Sequence, residues 1–181
     1  ALLVLGQLAA QHGEAADLRS IALWMASHCG LRIAVLPDAN SAAGWIAGCI
    51  PHRSAGGDPI TIPGRDAARM TTDSLSGCVL YGLEPSLDYA SPASLDQTLG
   101  QAEFVLSFSS FRSAVPPQAN VVLPLVPFTE NSGSFINLEG RVQFSPAAVK
   151  PRGEARPGWK ILRVLANLLK LKGFDYVTVD D

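Results

Sequence analysis

The sequence contains few cysteines, and they lie far apart. They are Cys29, Cys49 and Cys78, and no two of them form a C-x-x-C pair. A structural zinc site or an iron–sulfur cluster needs four ligands, usually with two of them close in sequence. The pattern therefore predicts no metal site in this chain. We interpret the three thiols as small buried hydrophobic side chains, and their odd number is typical of a reducing compartment.

Long hydrophobic runs and basic clusters are also missing. No apolar run approaches the roughly 18 residues that span a bilayer, and "ALLVL" at the start is too short for a signal-peptide core and has no basic leader. The 14 Lys and Arg residues are balanced by 16 Asp and Glu residues, for a net charge of −2. No dense group of cations is present to track phosphates. We expect no direct membrane insertion and no nucleic-acid partner.

The motifs of nucleotide-binding proteins and of serine hydrolases do not occur. The first strand-like run is followed by "GQLAAQHG", which has a single glycine at the turn instead of G-x-G-x-x-G, and there is no G-x-x-x-x-G-K-[ST]. There is no G-x-S-x-G either. Among the three histidines, His52 in "PHRSAGGD" is the one beside Ser, Gly and Asp in a loop. Such residues meet by chance in many loops, so we predict no catalytic residue.

What is present is a globular composition, with 48% hydrophobic and 17% charged residues over 181 positions. Apolar runs at 2–5 and 31–36 flank a helical pattern over 14–29. Gly30 follows that pattern, where a helix C-terminus favours a left-handed residue. Strand–helix–strand is typical of a parallel sheet. The apolar face of this helix comprises Leu18, Ile21, Ala22, Met25 and Cys29.

Further elements follow the same alternation. Strands are predicted at 77–81, 103–107 and 121–123, and a short helix at 91–99 has Pro92 at its first position. Residues 54–73 are rich in turn residues and are predicted to form a long loop. We therefore predict an α/β fold of three layers, with a mostly parallel sheet flanked by helices and a β-hairpin insertion near the C-terminal end. Residues 1–181 would form a single domain, with the sheet and hairpin core at 1–150 and a linker and C-terminal helix at 151–181.

The C-terminal helix is predicted over 157–172. Val164 and Leu171 lie on the side opposite its core face, and we expect them to be exposed in this chain and covered in a larger assembly. The core face is predicted to comprise Ile161, Leu162, Leu165, Leu168 and Leu169.

A dense polar cluster occupies the segment 120–144, "NVVLPLVPFTENSGSFINLEGRVQF". Strands at 134–137 and 141–144 joined by "NLEG" would make a β-hairpin, which explains Asn137 and Gly140 as turn residues. The hairpin does not explain Glu130 or Arg141. Two interpretations remain open for Arg141: a buried ion pair with Glu130 or Glu139, or a side chain that faces a ligand.

The same segment resembles the molybdopterin-type oxidoreductases. "ANVVLPLVPFTENSGSFINLEGRVQ" is similar to that family's run of A-D-x-V-L-P, then E, then G-[ST], then N, then E-G-R-x-Q. "PFTE", "EGRVQ", "LRIAVLPDANSAAGWIAGCIPHR" and the tail "PRGEARPGWKILRVLANLL" resemble one branch, the large iron–sulfur subunit of bacterial NADH–quinone oxidoreductase, respiratory complex I. One departure is Asn120, where the family usually has Asp, and this weakens any role for a carboxylate there.

The resemblance implies a C-terminal part of an electron-transfer subunit. Iron–sulfur clusters would lie in the N-terminal part of the parent subunit, and this fragment would hold no cofactor and no molybdenum. Its partners would be other domains of the same subunit and other complex I subunits. Its location would be the peripheral arm, on the cytoplasmic side of the bacterial inner membrane. The polar cluster would then be vestigial, with Glu130, Asn137, Glu139 and Arg141 as the former cofactor-binding residues.

Three functions are consistent with these patterns. The first is a non-catalytic structural and interaction domain of that NADH:quinone oxidoreductase subunit, braced against the cluster-bearing part. The second is a true molybdopterin-binding segment of a formate-dehydrogenase-like enzyme, with Glu130, Asn137 and Arg141 facing the cofactor. The third is a free-standing α/β binder of small molecules. The chain opens inside a strand-like run and has no obvious terminator, so we expect a piece of a longer polypeptide rather than the third alternative.

Overall fold

The computed structural model describes residues 1–10, 12–36, 38 and 40–178. The chain divides into two compact units, Ala1–Pro63 with Ser134–Phe144 (unit 1) and Gly64–Gly133 with Ser145–Asp181 (unit 2). The single domain over 1–181 stays a prediction. The helices are α1 (Gln7–Ala10), α2 (Ala15–Cys29), α3 (Ser41–Ile46), α4 (Ala67–Met70), α5 (Pro85–Asp88), α6 (Pro92–Gln101) and α7 (Gly158–Leu168). The strands are β1 (Leu2–Leu5), β2 (Arg32–Val35), β3 (Gly77–Tyr81), β4 (Phe104–Ser109), β5 (Val121–Pro124), β6 (Gly133–Ile136) and β7 (Val142–Ser145).

The α/β prediction is confirmed, and the parallel strands are divided between two sheets. In unit 1, β1 pairs in parallel with β2, from Leu2 opposite Arg32 to Leu5 opposite Val35. In unit 2, the order is β3–β4–β5, all parallel. The antiparallel hairpin β6–β7 is also confirmed. Each strand lies within two residues of its predicted position.

Helix α2 ends as its sequence predicts. Gly30 has φ 61°, and its N–H donates to the carbonyl oxygen of Ala26. The predicted buried face is only partly right: Ala22 is buried and Leu18 is half-buried, whereas Ile21, Met25 and Cys29 are exposed. The helix therefore packs through Ala22 and Leu18, whereas Ile21 and Met25 stay exposed within the described residues.

The core lies in unit 2, where helices cover both faces of the sheet. Cys78, Leu80 and Val105 pack with Leu95 and Leu99 of α6 on one face. On the other face, a cluster of buried Leu106, Phe108 and Leu125 is covered by Ile161 and Leu165 of α7. Alternate side chains of a strand point to opposite faces, so β4 supplies Val105 to the first cluster and Leu106 and Phe108 to the second. This arrangement is the predicted three-layer packing.

Helix α7 is shorter than predicted, and its core face is narrower. It ends at Leu168, and Lys170 adopts φ 57° while its N–H donates to the carbonyl oxygen of Asn167. Leu162, Leu168 and Leu169 are exposed, so their assignment to the core was wrong. The apolar stripe extends beyond the surface that the three-stranded sheet offers. The predicted exposure of Val164 and Leu171 is confirmed, at 49% and 53%.

Two further expectations need correction. The segment 54–73 contains helix α4, which is capped by the carboxylate of Asp66 accepting from the amide of Arg69 at 2.8 Å. The interpretation of all three thiols as buried was wrong, because Cys78 is buried while Cys29 and Cys49 are exposed. Within the residues that the structure describes, no helix has the length and apolarity needed to cross a membrane.

Candidate functional site

Asn137 holds the turn of the β6–β7 hairpin with its own side chain. Its Oδ1 accepts from the backbone amides of Glu139 at 3.0 Å and Arg141 at 2.9 Å. Gly140 takes φ 79°, and its N–H donates to the carbonyl oxygen of Asn137 at 3.0 Å. A side chain that accepts from the amides two and four residues ahead is a local turn device. The carbonyl oxygen of the Asn137 amide is thus already engaged with backbone.

Glu130 is likewise engaged with backbone. It lies at the end of a 3₁₀ turn, Phe128–Glu130, and its Oε2 accepts from the amide of Arg152 at 3.0 Å. The neighbouring carbonyl oxygen of Thr129 accepts from the amides of Ala148 and Val149. Together these bonds fasten the loop that precedes α7 to the loop that follows β5. Glu130 is half-buried, so its carboxylate would destabilise the fold if that bond were not made.

The predicted buried ion pair of Arg141 was wrong. Arg141 is exposed, as is Glu139, and within the described residues the guanidinium makes no ion pair or hydrogen bond. Glu130 belongs to unit 2, whereas Asn137, Glu139 and Arg141 belong to unit 1. Burying a charge pair is costly, and this short hairpin has no buried position at which to place one.

His52 takes part in an aromatic contact. Its ring lies edge-on to Trp45, with 5.3 Å between ring centroids, and Arg53 stacks on the same indole with its guanidinium carbon 5.0 Å from the centroid. Within the described residues, the His52 ring has no hydrogen bond to a hydroxyl or a carboxylate. His52 and Arg53 therefore both pack around Trp45.

A small cleft lies at the carboxyl ends of β3 and β4, where open parallel sheets usually bind ligands. Its volume is about 260 Å³, below the range of roughly 300–1,000 Å³ typical of small-molecule sites. It carries the carboxylate of Asp96, which accepts from Gln118 Nε2 at 2.7 Å, and no Lys or Arg among its lining residues. Those residues are Pro85, Ser86, Pro92, Asp96, Leu99, Ser113, Ala114, Val115, Pro116 and Pro117.

A larger cleft of about 510 Å³ in unit 2 was missed from the sequence. The aromatic ring of Trp159 and the side chains of Glu130, Arg156 and Lys160 line it. Lys160 Nζ lies 5.2 Å from the Trp159 ring centroid, and Arg156 Nη1 donates to the carbonyl oxygens of Gly153 and Ala155. The cleft therefore carries charges of both signs, and its two cations, Arg156 and Lys160, already contact neighbouring groups. The dense run "PRGEARPGWK" was the signal that could have indicated it.

Asn120, where the family pattern has Asp, serves the backbone. Its side-chain Oδ1 accepts from the backbone N–H of Val105 at 2.7 Å. Its backbone N–H donates to the carbonyl oxygen of Val105 at 2.9 Å. An Asn amide oxygen and an Asp carboxylate oxygen can both accept this bond. Within the described residues, no group of three or more His, Cys, Asp or Glu side chains is arranged to hold a metal ion.

Comparison with known proteins gives a consistent set of relatives. A family model described as molybdopterin oxidoreductase matches residues 6–168. A Mycobacterium bovis protein, named as the G subunit of NADH-quinone oxidoreductase, is 32% identical over 153 residues, covering 71% of this chain and 19% of that protein. The 78 kDa subunit of mitochondrial NADH-ubiquinone oxidoreductase from Candida albicans is 50% identical over 54 residues, 30% of this chain and 8% of that protein.

A Staphylococcus aureus protein named as a putative formate dehydrogenase is 34% identical over 97 residues, which cover 54% of this chain and 10% of that protein. The chain thus spans about a fifth of the length of the curated relatives that it matches over most of its own length.

Proposed function

The chain belongs to the molybdopterin oxidoreductase family, and we propose that it serves as a non-catalytic structural and interaction domain of the large iron–sulfur subunit of NADH–quinone oxidoreductase. The observation that carries this proposal is the use of the polar cluster. The side chains of Asn137 and Glu130, which the family resemblance marks as cofactor candidates, accept hydrogen bonds from backbone amides. The match over most of the chain to proteins named as this oxidoreductase's G subunit supports the choice of parent.

The β6–β7 hairpin and the cleft at the strand ends offer few groups that would hold a molybdopterin cofactor. Such a group carries phosphate, which binds to clustered backbone N–H groups and cations. The hairpin, described in full over 133–145, offers a single exposed cation, Arg141, beside the carboxylate-bearing Glu139. The cleft at the strand ends is lined by Asp96 without a Lys or Arg. A phosphate in either place would face negative charge with little compensation.

In the proposed parent, electrons pass from NADH towards quinone through iron–sulfur clusters elsewhere in the subunit. The domain would contact other parts of the same polypeptide and neighbouring subunits, in the peripheral arm on the cytoplasmic side of the membrane. Its exposed apolar side chains support an interaction role, because isolated monomers rarely leave large contiguous apolar patches uncovered. Val164, Leu168 and Leu171 on and after α7 are all about half or more exposed.

The test uses the parent complex carrying Val164→Lys together with Leu171→Lys. Both side chains are exposed here, so the stability of the 181-residue chain should stay within about 1 kcal/mol of wild type. Assembly of the complex should weaken, while NADH oxidation per assembled complex stays unchanged. The matched control adds the same charge to the exposed polar side of α6, with Gln97→Lys and Gln101→Lys, and should assemble normally. Normal assembly of the α7 variant, or loss of turnover in complexes that do assemble, would contradict the proposal.

A second candidate is a molybdopterin-binding segment of a formate-oxidising enzyme, favoured by the match to the Staphylococcus aureus protein. It makes a different prediction for the purified parent protein, which would contain stoichiometric molybdenum and oxidise formate. Arg141→Met would then lower the molybdenum content, and Lys150→Met, on an exposed cation outside the hairpin, would not. We expect no molybdenum in either variant or in wild type. Metal content measured by elemental analysis decides between the two candidates.

A further inference from the structure

Positive charge is concentrated in residues 150–172, which form the loop before α7, α7 itself and the turn after it. This segment holds seven of the 14 Lys and Arg residues but one of the 16 Asp and Glu residues, so its net charge is +6, whereas the rest of the chain carries −8. Within the described residues, none of the seven cations forms an ion pair. They are Lys150, Arg152, Arg156, Lys160, Arg163, Lys170 and Lys172. An uncompensated excess of one sign of charge attracts a partner of the opposite sign.

Two of these cations lie in the cleft of about 510 Å³ in unit 2. Arg156 and Lys160 are exposed and line the cleft together with the half-buried Trp159. Among the described lining residues, Glu130 is the one that bears a carboxylate, and its Oε2 already accepts from the backbone amide of Arg152 at 3.0 Å. The first turn of α7 adds no acidic residue. The cleft therefore presents a net positive charge beside an aromatic ring.

The contacts that the two cations make do not neutralise them. Arg156 Nη1 donates to the carbonyl oxygens of Gly153 and Ala155, at 3.1 Å and 2.9 Å, and these groups carry no net charge. Lys160 Nζ lies 5.2 Å from the centroid of the Trp159 ring, which is also uncharged. A guanidinium and an ammonium have several N–H donors each. Donors of both cations therefore remain for a carboxylate.

The backbone that carries these cations is held in place. The N–H of Arg156 donates to the carbonyl oxygen of Pro124 at 3.2 Å, and its carbonyl oxygen accepts from the N–H of Val126 at 3.2 Å. Arg156 thus continues the pairing of the sheet just beyond the end of β5. Lys160 lies in the first turn of α7, where Gly158 packs closely on Tyr81. Groups that are ordered before binding lose less conformational entropy when a partner docks.

We propose that this cleft docks an acidic segment of a neighbouring polypeptide, with an Asp or Glu side chain on Arg156 and Lys160 and an apolar side chain on Trp159. The proposal rests on the proposed function, in which the chain is an interaction domain, and it names the surface and the chemistry of the partner. Charge complementarity selects a carboxylate-bearing partner, and Arg binds carboxylates with paired hydrogen bonds. Trp and Arg are also the residues that most often dominate the binding energy of protein interfaces. The concave shape suits a protruding segment of protein better than the surface of a membrane.

The first test identifies the occupant by photo-crosslinking in the purified parent complex. A photoreactive amino acid replaces Ser132, an exposed residue that lines the cleft, so both cations stay in place. Mass spectrometry should find a crosslink to an Asp- and Glu-rich segment of another polypeptide. The same amino acid at Gln97, exposed on α6, is the control and should not reach that segment. A crosslink to lipid, to the same polypeptide or to a segment without acidic residues would overturn the proposal, and so would the absence of a crosslink.

The second test measures the Kd of the full-length parent subunit for a synthetic peptide of the crosslinked segment. Arg156→Glu together with Lys160→Glu should raise the Kd at least about tenfold at low salt, and wild-type binding should weaken as the salt concentration rises. Arg69→Glu together with Arg112→Glu makes the same change of charge at exposed positions outside residues 150–172. This control pair should change the Kd by less than about twofold.

The fold of the cleft variant is checked by its melting temperature. If it does not fold, Lys160→Gln removes one cation at an exposed position and should still raise the Kd at least about threefold. Equal effects of the cleft pair and the control pair, or binding that does not depend on salt, would contradict the proposal. NADH oxidation and the assembly of the Val164 and Leu171 variant are measured separately. Failure of the peptide contact therefore leaves the proposed function standing, and failure of the proposed function leaves the contact standing.

Discussion

The side-chain amide of Asn40 pairs with the backbone of strand β6 at Ser134, ninety-four residues away in sequence. Nδ2 donates to the carbonyl oxygen of Ser134 at 2.9 Å, and Oδ1 accepts from the amide of Ile136 at 3.0 Å. The Asn40 side chain thus pairs with one carbonyl oxygen and one N–H of β6, as the backbone of a neighbouring strand would. Asn40 itself has φ 65°, a left-handed conformation that Asn tolerates better than most residues. This one side chain fastens the hairpin to the rest of unit 1.

Replacing Asn40 by Asp should loosen the hairpin. The Asp side chain keeps the acceptor for Ile136 but loses the donor and sets a negative charge against the carbonyl oxygen of Ser134. We expect a loss of about 1–3 kcal/mol in the free energy of unfolding, measured by urea denaturation, and faster exchange of the Ile136 amide. Asn40→Gly is the companion variant, because it accepts the left-handed backbone while removing both bonds. Unchanged exchange at Ile136 in both variants would show that the two bonds do not hold the strand.

Replacing Asn137 should destabilise the chain far more than replacing Arg141 does. Asn137→Ala removes an acceptor of two turn amides and should cost about 1–2 kcal/mol. Arg141→Met removes an exposed cation without an ion pair in the described structure and should change stability by no more than about 0.5 kcal/mol. Chemical denaturation of the two single variants measures both changes in the free energy of unfolding. A cost at Arg141 equal to that at Asn137 would argue for a buried contact of the guanidinium.

Replacing Gly158 by alanine should destabilise the chain, although Gly→Ala in a helix is usually stabilising. It is buried in the first turn of α7, and a Cβ placed there would overlap the Tyr81 hydroxyl group. Gly→Ala within a helix normally stabilises by roughly 0.5–1 kcal/mol, but overpacking costs about 1–3 kcal/mol. Gly158→Ala should therefore lower the melting temperature. Adding Tyr81→Ala should make the Gly158→Ala change less costly, so the two changes are not additive.

Gly100 of α6 provides the control for that experiment. It is exposed, and a Cβ there would meet nothing within 4 Å. Gly100→Ala should leave stability unchanged or raise it by up to about 1 kcal/mol. If both alanine variants behave alike, close packing between α7 and β3 is not what limits position 158.

Cys78 should make the chain less stable in alkaline solution. Burial raises the pKa of its thiol above the ordinary value of 9.0. The unfolded chain then releases this proton at a lower pH than the folded chain does. Its contribution to stability is full below pH 9.0 and is lost as the pH rises from there through the folded-state pKa. As the pH rises above 9.0, the free energy of unfolding should therefore fall more steeply for wild type than for Cys78→Ala.

Alkylation by iodoacetamide gives an independent check on the same thiol. Cys29 and Cys49 are exposed and should react in the folded chain, whereas Cys78 should react only after denaturation. Mass spectrometry counts the adducts. Three adducts on the folded chain would mean that β3 opens readily, and the alkaline prediction would then have no basis.

Periodicity and turn chemistry were enough to predict most local elements. Gly30 after α2, Pro92 at the start of α6 and Asn137 with Gly140 in the hairpin each act through the conformation of a few neighbouring residues. Such effects are encoded within a short window, and so they can be predicted without knowing the rest of the fold.

The site could be predicted only in part. The sequence indicated that Glu130 and Arg141 needed an explanation beyond the hairpin, and it left Arg141 open between an ion pair with Glu130 or Glu139 and a ligand. The structure gives Glu130 the amide of Arg152 and leaves Arg141 exposed. Which polar groups meet depends on contacts between segments far apart in the chain, and residue type and spacing do not specify them.

By itself, the sequence determined the α/β class, the parallel strands, the hairpin and the caps, because hydrophobic period and turn residues act locally. Only the tertiary structure decided which apolar residues are buried. Leu168 and Ile161 share the apolar stripe of α7, yet Ile161 packs against the buried cluster that contains Phe108, while Leu168 is 75% exposed. An apolar pattern records that a side chain favours burial, but burial needs an opposing surface. That surface is set by how many strands and helices the fold brings together.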